Sequence, residues 1–135
     1  MSYGVSAALQ GEIYRVLSED SELAALVGDA IYDAPPSGNL PETYLAIGAE
    51  DVRDRAAFET ALAEHRVTLS VVSSAPGFTA GKAAAGAASR ALSGASLVPS
   101  EGHVVAVSFL RARARRQRDD RRRIDLTFRI LAEDS

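Results

Sequence analysis

The segment Gly77-Phe78-Thr79-Ala80-Gly81-Lys82 resembles the glycine-rich turns whose backbone N–H groups cradle phosphate. That chemistry needs a further glycine five positions before the glycine that precedes the lysine, and Pro76 stands there. It also needs a hydroxyl after the lysine to hold magnesium, and that residue is Ala83. With two of four anchors missing, the segment reads as a connection between a strand and a helix. His65 and His103 are the two imidazoles; they have no ligand-like spacing and read as solvated residues at strand starts. There is no Gly-x-Ser-x-Gly elbow, and no spacing singles out a carboxylate pair for acid–base work. The absence of cysteine removes thiolate metal sites, cysteine nucleophiles and disulfide staples. No catalytic, cofactor or metal residue is therefore expected.

Charge supplies the positive signal. The net charge of -3 divides into -9 over residues 1–64 and +6 over residues 65–135. Nine of the 14 arginines fall between Arg111 and Arg129, and Lys82 is the single lysine. Arg111, Arg113, Arg115, Arg116, Arg118, Arg121, Arg122 and Arg123 are the candidate interface residues. Lysine would keep such an arm solvated equally well, whereas arginine binds carboxylate or phosphate through a planar fork and loses less hydration when covered. The arm therefore suits a partner. One partner is the acidic half of a second copy, with Glu50, Asp51, Asp54, Glu59 and Glu64 as the acids. A head-to-tail ring offers both surfaces on every copy. The other is nucleic acid, met through phosphates by a binding module built on hairpin 111–123. Asp119, Asp120 and the lack of aromatic residues in the arm favour the protein contact.

The elements that must carry this arm follow from periodicity. Val5, Leu9, Ile13, Val16 and Leu17 form one face of an amphipathic helix. A short helix follows, with Asp20 as N-cap and Gly28 as stop. Ile31 to Pro41 reads as a loop, and its Pro35, Pro36, Gly38 and Pro41 form a second candidate contact. Thr43 to Ala49 is a strand, and Val67, Leu69 and Val71 alternate with polar residues in the next. The stretch 50–64 between them fits either an extended hairpin or a helical turn. The alanine-rich run after Phe78 is a helix, with Gly94 as its end. Val105, Val107 and Phe109 share a strand face that is expected to continue as Arg111, Arg113 and Arg115. Ile124, Leu126, Phe128 and Ile130 alternate in the last strand, which closes a protruding hairpin. The expected fold is a single α+β domain over 1–135, in the order α-α-β-β-α-β-β. Its helices lie on one face of a mainly antiparallel four-stranded sheet.

Composition sets the limits. At 135 residues the chain fits one domain, and 25 of its 63 hydrophobic residues are alanine, so the core is modest. No run of about 18 apolar residues spans a membrane. The start, MSYGVSAALQGEIYRVL, lacks the layout of a signal peptide, which points to synthesis in the cytosol.

The order of these pieces resembles a known family. The amphipathic helix leads to Leu23-Ala24-Ala25-Leu26-Val27-Gly28 and Ile31-Tyr32-Asp33-Ala34-Pro35-Pro36. Pro41-Glu42-Thr43-Tyr44-Leu45-Ala46-Ile47-Gly48 and Leu69-Ser70-Val71-Val72-Ser73-Ser74 follow. A small-residue helix and an arginine hairpin ending Leu126-Thr127-Phe128-Arg129-Ile130-Leu131 close the chain. Across residues 5 to 133 this resembles the tail-terminator, or tail-completion, proteins of long-tailed bacteriophages and gene transfer agents. Val72 stands where that family often has tryptophan. The resemblance implies a structural virion protein, not an enzyme, with no cofactor. It implies a ring, usually a hexamer, in the neck region of the virion tail, assembled in the bacterial cytoplasm. Such a ring stops polymerisation of the tail tube protein and docks the head-tail connector or stopper, and DNA passes through its lumen.

Overall fold

The computed structural model describes residues 3–55 and 62–134. Helix α1 (Ser6–Glu19) buries Leu9, Ile13 and Leu17 along one stripe, and Val5 at its start is buried with them. Each such side chain taken from water contributes about 1.5–3 kcal/mol. The helix stops at Asp20, whose extended backbone breaks it and whose carboxylate accepts the Leu23 N–H at 2.9 Å. That bond caps α2 (Ser21–Val27), as the sequence indicated.

Five strands form one mixed sheet in the order β1-β2-β3-β5-β4. They are β1 (Ile31–Tyr32), β2 (Thr43–Asp54), β3 (Leu62–Ser73), β4 (His103–Arg116) and β5 (Arg122–Glu133), with helix α3 (Thr79–Gly94) between β3 and β4. The α+β class and the antiparallel pairing of β2, β3, β5 and β4 agree with the sequence reading. The count of four strands does not. The first part of the supposed loop at 31–41 is a strand, β1, parallel to β2 with Ile31 opposite Leu45. Two residues beside a proline-rich loop carry no periodicity, and the pairing is decided by a partner fourteen positions away. The alternatives at 50–64 resolve as a long hairpin, because β2 runs to Asp54 and β3 starts at Leu62. Its tip lies outside the described residues.

Val67, Leu69 and Val71 of β3 lie beside Phe128, Leu126 and Ile124 of β5, and this shared face packs under the helices. Helix α3 comes close because the residues it buries are alanine and glycine apart from Leu92. A Cβ on its Gly81 would already sit 3.4 Å from the Ile124 side chain. Glu12 of α1, 8 % exposed, reaches the far loop. Its carboxylate accepts the Val98 N–H at 2.9 Å and two bonds from Arg15. Those bonds, Arg15 first, hold its pKa down at about 2.

Candidate functional site

The arginine hairpin is the edge of the sheet. Among the described residues, strand β4 pairs with β5 on one side alone, and its other side has no partner strand. Gln117 and Arg121 close the turn through an N–H to carbonyl bond of 2.7 Å. Asp120 takes a positive φ of 69° there, which aspartate tolerates better than most residues.

The facing of this strand departs from the simple alternation expected of it. Its register with β5 slips twice, between Val104 and Ala106 and between Phe109 and Arg111, so Val105 and Leu110 are bulged out. Each bulge inverts the parity of the residues after it. Phe109 lies opposite Phe128 on the helix side, with ring centres 5.7 Å apart. Past Leu110 the helix side continues as Ala112 and Ala114, whereas Arg111, Arg113 and Arg115 lie opposite Thr127, Asp125 and Arg123 on the helix-free face. The arginines therefore do not continue the apolar face of Val107 and Phe109. A one-residue bulge leaves no mark in an alternating sequence, which is why the reading from sequence went the other way.

The eight candidate arginines divide by their bonds. Arg123 is tied inward, to Asp125 at 3.0 Å and Ser70 at 3.0 Å. Arg122 lies over the Phe78 ring and donates to the Asp120 carbonyl. Arg115, Arg116 and Arg121 make loose ion pairs of 3.5 to 3.9 Å with Asp125, Asp120 and Asp119. Arg111, Arg113 and Arg118 are exposed and have no ion pair among the described residues. On the helix side, Phe109, Ala112 and Ala114 with Lys82, Ala85 and Gly86 of α3 line an open, mostly apolar cleft of about 310 Å³. Apart from Lys82, the α3 residues that line it, Ala85, Gly86 and Ser89, are small and leave β4 uncovered.

The candidate acids are not equivalent either. Glu50 accepts bonds from Tyr3 at 3.0 Å and Ser6 at 2.8 Å, and lies 3.3 Å from Nδ1 of His65. His65 is fully buried, which corrects its reading as a solvated strand-end residue. The strand extends past it to Leu62, it lies opposite Val52 and Ile130 in the sheet, and Glu50, itself bonded to Ser6, meets its ring. His103, by contrast, is exposed at the start of β4. Glu64 is 2 % exposed and binds Arg66 at 2.7 Å, Arg129 at 3.0 Å and Arg55 at 3.5 Å. Both carboxylates thus do their work inside the subunit. Asp51 and Asp54 are exposed on β2, and Glu59 lies outside the described residues. Pro35, Pro36, Gly38 and Pro41 are exposed in the loop between β1 and β2.

The guanidinium of Arg66, then that of Arg129, holds the Glu64 carboxyl below the usual carboxylate value of 4.5. Breaking a buried ion pair costs about 3–5 kcal/mol. Here the arginines are 30 % to 53 % exposed and regain water, so Glu64→Gln is expected to lose about 2 kcal/mol at pH 7. Glu64 and Glu12 both titrate lower when folded. Their contribution is complete above pH 4.5 and is lost as pH falls below it, for Glu12 down to about 2. Unfolding midpoints between pH 2 and 7 should therefore differ most between wild type and Glu64→Gln at neutral pH and converge in acid. Equal sensitivity to acid in both proteins would contradict the assignment.

Among the described residues no group of His, Asp or Glu is placed to hold a metal, and no helix is long and apolar enough to cross a membrane. The family model described as "Tail completion protein gp17" matches residues 11–133. Among solved structures, a chain of the "Virion of native gene transfer agent (GTA) particle" is 51% identical, with a TM-score of 0.92. The match covers 98% of this chain and 99% of that one. No curated relative matches the chain.

Proposed function

The chain belongs to the family of tail completion protein gp17, and from that premise we propose that it forms a ring capping the head-proximal end of a tail tube. The protein is a structural component of the virion tail. In this reading the ring, a homo-hexamer by family resemblance, ends polymerisation of the tube protein and joins the tail to the head-tail connector. It works by surface complementarity, without catalysis or a cofactor, and DNA passes through its lumen.

The observation that carries the reading is the unpaired, arginine-lined edge of β4. An exposed edge strand is a template for association, and soluble proteins usually blunt or cover it. This one is 14 residues long, with Val105, Phe109 and Leu110 exposed along it. The eight arginines of the hairpin are the interface in this reading, and the loop with Pro35, Pro36, Gly38 and Pro41 is a second contact. Of the acids proposed at 50–64, Glu50 and Glu64 are turned to partners inside the subunit, and the reading rests on Asp51, exposed and paired with Arg53 at 3.2 Å, exposed Asp54, and Glu59.

Arg115 and Arg116 face opposite sides of the sheet, so reversing both charges tests both surfaces of the edge together. Arg115→Glu with Arg116→Glu is expected to abolish rings and particle assembly while circular dichroism and melting show a folded monomer. Rings of wild-type yield in negative stain would remove the reading. A nucleic-acid contact has one observation in its favour, the alignment of Arg111, Arg113 and Arg115 on the open face. It predicts DNA affinity that falls about tenfold or more between 50 and 200 mM salt, and loss of that dependence in the same variant.

A further inference from the structure

The two ends of this α/β layer are open, and they are open in complementary ways. At one end lies the free edge of β4, with the apolar cleft that Phe109, Ala112 and Ala114 form against α3. At the other end β1 covers β2 at Leu45 and Ala46 alone, which leaves the remainder of the β2 edge, from Ile47 to Asp54, without a partner strand among the described residues. Beside it is a second open cleft of about 480 Å³, also mostly apolar, lined by Gln10, Gly11 and Tyr14 of α1 with Ile31, Tyr32 and Ile47. Tyr14 is 45% exposed there, and a Cβ on Gly11 would meet nothing within 4 Å.

Charge separates the same two ends. The β4 end carries Lys82, Arg111, Arg113, Arg115 and Arg116, which outnumber Asp119 and Asp120 at the hairpin tip. The β2 end carries Asp33, Glu42, Glu50, Asp51 and Asp54, which outnumber Arg53 and Arg55. Strand direction fits as well. Three successive antiparallel pairings make β2 run opposite to β4, so copies repeated with one orientation bring β4 of one beside β2 of the next in antiparallel sense. An end that is basic and apolar cannot dock on its own kind without opposing like charges, but it matches the other end of a second copy.

We propose that the α3–β4 end of one copy docks on the α1–β2 end of the next, with Tyr14 of the second copy covering the cleft floored by Ala112 and Ala114 of the first. This contact rests on the ring reading and supplies its geometry: it is heterologous, so it propagates from copy to copy and closes only by rotation. Each copy extends the neighbour's sheet through its edge and the neighbour's helical layer through α1. The apolar exposure left by the small residues of α3 is the space the neighbour fills.

The test uses two variants, each with one end spoiled. Ala112→Glu with Ala114→Glu places acid in the first cleft, where both positions are exposed, and it would face the acidic end. Gly11→Arg with Tyr14→Arg fills the second cleft with cations, which would face the basic end. Melting and circular dichroism establish that both fold. In sedimentation velocity, each variant alone is expected to self-associate at least tenfold more weakly than wild type. An equimolar mixture should regain dimers or larger species, because each variant keeps the end the other needs. A mixture that remains monomeric while wild type assembles would overturn the docking and leave the ring to other surfaces. Wild-type-like assembly by either variant alone would do the same. A wild-type protein that stays monomeric at millimolar concentration would overturn both the docking and an autonomous ring.

Discussion

Gly102→Ala is expected to destabilise the protein by about 3–5 kcal/mol, the cost of overpacking added to that of a strained backbone. Gly102 turns the chain into β4 with φ of 76°, a conformation that side chains oppose. The added methyl would stand 2.5 Å from the Glu133 carbonyl oxygen and closer still to Cγ2 of Val5. Neither neighbour can yield. The carbonyl belongs to the end of β5, and Val5 is a short, branched side chain buried where α1 begins. Relief would require the start of β4 to shift away from α1. Urea unfolding measures the loss, and Gly11→Ala is the control. Gly11 lies in mid-helix with open space beside it, so alanine there should add about 0.5–1 kcal/mol. Equal effects at the two positions would show that the close approach at Gly102 does not govern stability.

Phe128→Ala should cost about 3–5 kcal/mol, as buried aromatic deletions do when the cavity cannot collapse. Phe128 is fully buried in β5 between Val67 of β3 and Phe109 of β4. Its loss removes the edge-to-face contact that seats the edge strand, so amide exchange in β4 should accelerate more than in β2. Phe109→Ala removes a half-exposed ring and should cost only about 1 kcal/mol, because much of that ring is already in water. If exchange rose uniformly across the sheet, Phe128 would be a general core residue and not the anchor of the edge.

Where a local rule decided the structure, the sequence carried it. Leu9, Ile13 and Leu17 at helical spacing, the Asp20 cap and the strict alternation from Ile124 to Ile130 all appear as read. Where a distant partner decided, the sequence was silent. Ile31 and Tyr32 become a strand because Leu45 and Ala46 lie beside them. His65 is buried between neighbouring strands and meets Glu50, fifteen residues back, and nothing around it in sequence signals that. Glu64 looked like a surface acid until three arginines, Arg66 of its own strand, Arg129 of β5 and Arg55 just past β2, converged on it. The candidate site was legible as an arginine-rich hairpin. The split of its faces was not, since it follows from the bulges in β4, nor was the apolar cleft behind it, which needs those bulges and the small residues of α3 together.

The bulge at Leu110 also sets the kind of change this strand can survive. An ordinary strand records position in a two-beat rhythm, and Leu110 is the beat that is held twice. A different letter there leaves the rhythm as it is. Dropping the residue would let Arg111 follow Phe109 directly into its place opposite Thr127, so both rows would keep the faces they have. The strand thus holds a spare residue at this point, and a deletion there is absorbed where one in a strictly paired strand would turn its side chains over.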